Sequence, residues 1–223
     1  MEKTLERLKT LYQSPLGEAW TRIEDGDPDG YLEGNIVDGR RRAADLLVRW
    51  MEPLKGRSVL DLGCGRGGLA GLLAERGARV TAVDLLPRFE SQLGRGNPDF
   101  MIGDGFSVAR DRLFDDILVS EVLEDYQPDE AARVLESLGP SRGNRMFLIL
   151  RVAGPFSRLW NALSTGSLGG RVDPYSILRT IHACTPFRLT RQETVHLRNY
   201  RVWLAQLVRS DANLETPLHP MKP

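Results

Sequence analysis

Short apolar runs and amphipathic segments alternate through the middle of this chain. The apolar runs have the length of buried strands, and they lie near residues 58–62, 79–84, 99–102, 115–120 and 145–151. Alternation of strand and helix is typical of a parallel sheet that is covered by helices on both faces. The pattern therefore predicts an α/β fold with a doubly wound, mostly parallel sheet.

The C-terminal part of the pattern predicts an antiparallel hairpin. Residues 187–196 and 200–209 have the character of two strands, and a tight connection at Arg198-Asn199 joins them. A hairpin in this position would close one edge of the sheet.

The segment before the first strand is predicted to be helical. Helices are expected at residues 2–13, 16–23 and 35–51, and the Gly, Pro and Asp content of residues 24–30 predicts a loop between the last two. This acid-rich loop lacks the residue spacing of a calcium-binding loop. No metal site is predicted.

These elements divide the chain into a helical extension and a core. Residues 1–55 form the extension, which we expect to act as a lid, and residues 56–210 form the core. Within the core, the irregular residues 153–173 are expected to form an insert on the substrate side. Residues 211–223 contain three prolines and are expected to fray.

A glycine-rich turn follows the first predicted strand and opens a helix. Gly63, Gly65 and Gly68 fit the dinucleotide fingerprint G-x-G-x-x-G, and Asp84 ends the next strand 21 residues after Gly63. A carboxylate at that place can accept hydrogen bonds from both hydroxyls of a ribose. The fingerprint alone does not distinguish a dehydrogenase from other nucleotide-binding proteins.

Asp61 distinguishes these classes, because it lies two residues before the first glycine. Asp61, Gly63, Gly65 and Gly67 form D-x-G-x-G-x-G, which resembles motif I of class I S-adenosylmethionine-dependent methyltransferases. The resemblance implies a Rossmann-like sheet of seven strands and S-adenosylmethionine as cofactor. It also implies the following cofactor-binding residues: Asp61, Gly63, Cys64, Gly65, Asp84, Leu85, Asp104, Gly105, Phe106, Ser120 and Glu121.

The flanks of the core carry a second resemblance. Residues 19–23, 37–42, 187–191 and 200–205 are similar to magnesium-protoporphyrin IX O-methyltransferases. The resemblance implies transfer of a methyl group to one propionate carboxylate of a magnesium porphyrin, an early step of chlorophyll or bacteriochlorophyll synthesis in photosynthesis. Two alternatives stay open: a small-molecule O- or N-methyltransferase of secondary metabolism, and a non-catalytic binding module.

The chain departs from that family at two places. Many members carry a tyrosine near the position of Glu24, and a histidine or tyrosine in the turn that residues 124–126 occupy here. Tyr126 is therefore the candidate catalytic residue, and packing over the cofactor is its alternative role. Carboxylates beside a carboxylate substrate are unfavourable unless an arginine intervenes.

A porphyrin requires apolar surface for its ring and cations for its propionates. Trp20, Phe156 and Trp160 are the candidates for the ring, and Arg158 and Arg171 are the candidates for the carboxylates. Solvated loop charge and a local apolar cluster are the alternatives for the residues after position 152.

Composition narrows the choice of partners. The chain has 223 residues with 30 basic and 30 acidic side chains, so no bulk charge favours nucleic acid. Two cysteines are too few for a disulfide framework. The N-terminus lacks an apolar signal core, and no run has the length of a membrane span. We expect a cytoplasmic enzyme with a small-molecule substrate, a tetrapyrrole being favoured, and leave open peripheral contact with a membrane or a pathway enzyme.

Overall fold

A sheet of seven strands forms the centre of the molecule. The computed structural model describes residues 2–88, 96–126, 128–138, 144–152, 173–197 and 200–210. The strands are β1 Ser58–Leu62, β2 Arg79–Asp84, β3 Asp99–Ile102, β4 Asp116–Ser120, β5 Arg145–Arg151, β6 Phe187–Leu197 and β7 Tyr200–Arg209. Their order is β3-β2-β1-β4-β5-β7-β6. Strands β1 to β5 pair in parallel, and β7 is antiparallel to both of its neighbours. The predicted fold class is confirmed.

Helices cover both faces of the sheet. They are α1 Glu2–Tyr12, α2 Pro15–Asp25, α3 Gly30–Met51, α4 Gly68–Glu75, α5 Gly105–Asp111, α6 Pro128–Ser137 and α7 Pro174–Cys184. Buried side chains of α2, α3 and α4 pack on one face of the sheet, and those of α5, α6 and α7 pack on the other. In the part of the chain that the structure describes, no helix is both long and apolar enough to cross a bilayer.

The third helix begins five residues earlier than the sequence pattern predicted. The carboxylate of Glu33 accepts the backbone N–H of Asp29 at 2.7 Å, which satisfies a donor at the start of α3. The same carboxylate receives Nε and Nη2 of Arg22 at 3.2 and 2.7 Å. This ion pair joins the last turn of α2 to the first turn of α3, which begins at Gly30.

The order of the strands creates a crevice at one edge of the sheet. The chain runs from β1 outward to β3, and then returns to place β4 on the other side of β1. Ligands of open α/β sheets bind at such a switch point, outside the carboxyl ends of the strands. The loops after β1 and β4 therefore border the expected site.

A buried carboxylate joins three segments at the opposite, amino end of the sheet. Asp116, fully buried at the start of β4, accepts Nε and Nη2 of Arg57 at 2.7 and 2.9 Å. It also accepts Nε and Nη2 of Arg145, at the start of β5, at 2.7 and 2.9 Å. Arg145 in turn donates to the carbonyl of Met51 at 2.8 Å. This clamp is remote from the carboxyl edge, so its role is structural.

Candidate active site

A cavity of about 140 Å³ opens at the carboxyl ends of the central strands. All of the residues that the sequence predicted to bind cofactor line it, namely Asp61, Gly63, Cys64, Gly65, Asp84, Leu85, Asp104, Gly105, Phe106, Ser120 and Glu121. The predicted residues Trp20 and Tyr126 line it too. Residues from four strand ends and from the N-terminal helices thus meet in one place. Their contacts with a ligand stay predictions.

The glycine turn after β1 requires glycine at its first position. Gly63 has a φ of 75°, in the region that favours glycine. A Cβ at this position would collide with the side chain of Val122, in the turn after β4. The backbone N–H groups of Gly63 and Cys64 both donate to the carbonyl of Val83, at 2.7 and 3.1 Å. The turn is therefore held tightly between β2 and the end of β4.

Asp84 joins the glycine turn to the loop after β2. Its Oδ2 accepts the N–H of Gly65 at 2.8 Å, and its Oδ1 accepts the N–H of Leu86 at 2.9 Å. Burial raises the pKa of this carboxyl above its usual value, and these hydrogen bonds oppose the rise. An ionised carboxylate has about four acceptor positions. Asp84 can therefore hold the loop and bind the two hydroxyls of a ribose.

Asp61 carries a buried oxygen whose hydrogen-bonding capacity is not met within the described residues. Only 2% of Asp61 is exposed, and Oδ2 finds no hydrogen-bond partner there. Burial, aided by the charge of Asp84, raises the pKa of the Asp61 carboxyl to about 7. A ligand with an ammonium group would satisfy this oxygen. The methionine end of S-adenosylmethionine has such a group, so the site fits the expected cofactor.

Asp104 has a structural role that the sequence did not indicate. Its Oδ1 accepts the N–H of Phe106 at 3.1 Å, and its Oδ2 accepts the hydroxyl of Ser107 at 2.6 Å. The residue thus caps the N-terminus of α5. Its contact with the adenine amino group stays a prediction.

Four residues form a charged aromatic surface, here called the acceptor wall: Trp20, Arg40, Glu121 and Arg151. The guanidinium carbon of Arg151 lies 4.6 Å from the centroid of the Trp20 ring, and that of Arg40 lies 5.8 Å from it. Nη1 of Arg40 donates to Oε2 of Glu121 at 2.8 Å, and Nε of Arg151 lies 3.6 Å from the same oxygen. All four residues line the cavity.

Glu121 has a left-handed backbone at the end of β4. Its φ of 52° is the only positive value among the non-glycine residues that the structure describes. Such a conformation costs about 1–3 kcal/mol and is concentrated at functional sites. It places the carboxylate of Glu121 between the two arginines of the acceptor wall.

Glu124 lies beneath the acceptor wall and is almost fully buried. Its Oε1 accepts the backbone N–H of Arg151, and its Oε2 has no hydrogen-bond partner within the described residues. Burial raises the pKa of this carboxyl to about 7, and the guanidinium of Arg151 opposes the rise. Glu124 therefore fixes the backbone from which Arg151 projects.

Tyr126 packs against another residue of the cavity. Its ring meets Phe106 edge to face, with centroids 6.1 Å apart, and 8% of the residue is exposed. This packing is compatible with the alternative role of Tyr126, in which its ring packs over the cofactor. A catalytic role for Tyr126 stays a prediction.

The sequence analysis missed several residues of the cavity. Arg88, four residues after Asp84, donates from Nη1 and Nη2 to Glu24 at 2.7 and 3.2 Å. Its guanidinium carbon also lies 3.7 Å from the centroid of the Tyr12 ring. The sequence analysis noted that a carboxylate beside a carboxylate substrate is unfavourable unless an arginine intervenes. Arg88 is the arginine that pairs with Glu24. Arg151 could have been found, because it follows the apolar run at residues 146–150 and places a charge at the carboxyl end of β5, where ligands bind.

Other predicted residues cannot be placed in the cavity. Phe156, Arg158, Trp160 and Arg171 lie outside the described residues, as do the tail at 211–223 and nearly all of the insert. Within the described ranges, no group of three or more His, Cys, Asp and Glu side chains could hold a metal ion.

The chain is similar to known methyltransferases. A family model described as a methyltransferase domain matches residues 36–153, more than half of the chain. The chain is 32% identical to a magnesium-protoporphyrin O-methyltransferase of Rhodobacter capsulatus over 143 residues, which cover 60% of this chain and 63% of that protein. It is 28% identical to a magnesium-protoporphyrin O-methyltransferase of Synechocystis over 159 residues, which cover 66% of this chain and 67% of that protein. The chain thus spans about two thirds of these relatives.

The fold is also that of a solved methyltransferase. The crystal structure of magnesium protoporphyrin IX methyltransferase from Synechocystis PCC 6803, with bound S-adenosylhomocysteine, superposes with a TM-score of 0.77 at 21% identity. The match covers 92% of this chain and 99% of that chain.

Proposed function

Since the chain belongs to the methyltransferase-domain family and is an S-adenosylmethionine-dependent methyltransferase, we propose that it methylates a propionate carboxylate of magnesium protoporphyrin IX. One observation carries this proposal. The cavity joins the residues that are predicted to bind the cofactor to an acceptor wall that contains one tryptophan and two arginines. The two relatives above, named for the same reaction, support the choice of acceptor.

The residues of the cavity divide into a cofactor side and an acceptor side. When bound, S-adenosylmethionine supplies a methyl group from its sulfonium. On the cofactor side, Asp84 would hold the ribose, Asp61 would pair with the ammonium, and the turn at Gly63 would support the methionine end. On the acceptor side, the acceptor wall and Tyr126 would hold the substrate against this group.

The described lining of the cavity suits an acceptor that is already ionised. A carboxyl group titrates near pH ~4 and needs no base at neutral pH, whereas a phenol or an amine requires one. The described lining contains no histidine. Catalysis would then consist of holding a carboxylate oxygen close to the methyl carbon and in line with the departing sulfur, in a cavity that excludes water.

The proposal is tested by incubating the purified protein with methyl-labelled S-adenosylmethionine and magnesium protoporphyrin IX. The expected product is the labelled monomethyl ester, identified by chromatography and mass spectrometry. Asp84→Ala should lose most of this activity together with cofactor affinity, because each hydrogen bond to a charged group is worth about 1.5–3 kcal/mol.

The same assay separates the alternatives. A panel of phenols and amines, run beside the porphyrin, would reveal a methyltransferase of secondary metabolism. Binding of S-adenosylhomocysteine without turnover of any acceptor would indicate a non-catalytic module. Either outcome contradicts the proposed acceptor.

A further inference from the structure

We propose that Arg151, stacked on Trp20, binds the carboxylate of the acceptor that is not methylated, and thereby makes a second carboxylate a requirement for efficient substrates. This inference rests on the proposed function, because it assigns a residue to one group of that acceptor. It places recognition on the acceptor wall, whereas the sequence analysis named two arginines after position 152 as candidates.

The backbone of Arg151 is fixed at the edge where the acceptor must bind. Arg151 is the last residue of β5 and pairs with Val202 of β7. Its N–H donates to the buried carboxylate of Glu124, and the next N–H, of Val152, donates to the carbonyl of Arg201 at 2.9 Å. The side chain therefore projects from a rigid base at the carboxyl end of the sheet, beside the end of β4.

The side chain of Arg151 is oriented by an aromatic face. Its guanidinium carbon lies 4.6 Å from the centroid of Trp20, a distance typical of stacking. Trp20 itself is 7% exposed and packs in the core between α2 and the sheet. The N–H groups of a guanidinium lie in its plane, in a geometry that suits planar, two-oxygen groups. With 28% of its side chain exposed, Arg151 is accessible from the cavity.

The acceptor wall contains cationic groups that an anion can reach from the cavity. The wall carries two guanidinium groups, of Arg40 and Arg151, and one carboxylate, of Glu121. Arg40 forms the closer contact with Glu121, at 2.8 Å, and Arg151 stands at 3.6 Å, longer than a hydrogen bond. A carboxylate of the ligand beside Arg151 would form charge-assisted hydrogen bonds with its guanidinium. Glu121 acts as a positioning residue, because its carboxylate holds both arginines beside Trp20.

The chemistry of the transfer decides which carboxylate Arg151 binds. The reacting oxygen gives an electron pair to the methyl carbon as the carbon–sulfur bond breaks and its electrons go to sulfur, and no proton moves. Paired hydrogen bonds from a guanidinium would withdraw electron density from that oxygen and slow the attack. Arg151 is therefore assigned to the second propionate of a dicarboxylate acceptor, and it orients the first toward the cofactor.

The test compares magnesium protoporphyrin IX with a magnesium porphyrin that has one propionate. With the dicarboxylate, Arg151→Met should raise KM at least tenfold and leave kcat within severalfold, and Arg151→Lys should lie between this variant and the wild type. With the monopropionate, the wild type should already show the high KM, and Arg151→Met should change it no further. Affinity for S-adenosylhomocysteine should be unchanged in both variants, which also reports correct folding.

Arg191→Met is the matched control. Arg191 also stacks on a tryptophan, with its guanidinium carbon 4.3 Å from the centroid of Trp50, but it does not line the cavity. This variant should keep the wild-type KM for both porphyrins. An Arg151→Met enzyme with wild-type KM for the dicarboxylate, or an equal loss with both porphyrins, overturns the inference and leaves the proposed function standing. A wild-type protein that methylates neither porphyrin overturns both.

Discussion

At the scale of single residues, Asp61 links burial to cofactor binding. Without a ligand, burial holds the pKa of its carboxyl at about 7, far above the ordinary value of 3.8. The folded chain then keeps a proton that the unfolded chain has already released. Its contribution to stability therefore falls as the pH rises from about 4 to 7. An ammonium group placed beside Oδ2 would lower the pKa of this carboxyl and favour its ionised form.

We therefore predict that cofactor binding releases a proton near neutral pH. At pH 7, where the unligated carboxyl is about half protonated, roughly half a proton should leave per site. Affinity for S-adenosylmethionine should rise from pH 6 to about 7.5 as Asp61 ionises, and fall above pH ~8, where an α-amino group loses its proton. Calorimetry in two buffers of different ionisation enthalpy measures the proton count.

Two variants identify the source of this proton. Asp61→Asn should abolish the release and weaken binding. Glu124→Gln should retain the release, although the pKa of Glu124 is also raised to about 7. If proton release persists in Asp61→Asn and disappears in Glu124→Gln, the proton comes from Glu124 and not from Asp61. That result would contradict the prediction.

At the scale of elements, the two ends of the sheet have different tasks. The carboxyl end carries the cavity, and the amino end carries the clamp in which Asp116 joins Arg57 to Arg145. Removing one member of a buried ion pair leaves the other charges uncompensated. The clamp should therefore affect stability without affecting the site.

Asp116→Asn is predicted to lower the free energy of unfolding by about 3–5 kcal/mol. Urea denaturation followed by circular dichroism measures the change. The folded fraction should bind S-adenosylhomocysteine with the affinity of the wild type. Asp111→Asn is the control, because Asp111 pairs with Arg110 at the surface, and such pairs contribute about 0–1 kcal/mol. Equal effects of the two substitutions would contradict the structural role of the clamp.

At the scale of the whole molecule, the N-terminal helices close over the core. Glu24 of α2 and Tyr12 of α1 both contact Arg88, in the loop after β2. A Cβ at Gly65 would lie 3.1 Å from Arg88 and 3.2 Å from Glu24, so this ion pair stands directly against the glycine turn. The cavity of about 140 Å³ is smaller than the roughly 300–1,000 Å³ of common ligand sites. We therefore expect that the ion pair must open for the cofactor to enter. The lid at residues 1–55 stays a prediction.

We predict that Arg88→Ala speeds the association of S-adenosylhomocysteine roughly threefold to tenfold, or about 0.7–1.4 kcal/mol. The reason is that this substitution removes both the ion pair and the contact with Tyr12, which together hold the helices closed. Stopped-flow fluorescence of the tryptophans measures the rate. Arg76→Ala, which removes the exposed ion pair with Glu52, should leave the rate unchanged. An association rate that is equal in all three proteins would show that this contact does not limit entry.

The sequence by itself determined the sheet and the meeting of the predicted cofactor-binding residues in one cavity. Apolar runs predict strands because a strand of this kind can be identified from neighbouring residues alone. The spacing of Asp61, Gly63 and Asp84 is likewise local, because it spans one strand, one turn and the next strand. Parallel strands then bring these turns to a common edge without any further information. The start of α3 was misplaced because the pairing of Arg22 with Glu33, in the first turn of this helix, leaves no local pattern.

Only the tertiary structure decided which charged residues meet in the acceptor wall. Arg40 and Glu121 are 81 residues apart, and Glu24 and Arg88 are 64 apart. For a charged residue whose partner is so distant in the sequence, the sequence offers many oppositely charged residues as possible partners. The packing of α2 and α3 against the sheet determines which of them forms the ion pair. The same holds for Arg151, whose role depends on the ring of Trp20 lying beside it. Local patterns place the backbone of this protein, and long-range packing assigns its charged side chains to one another.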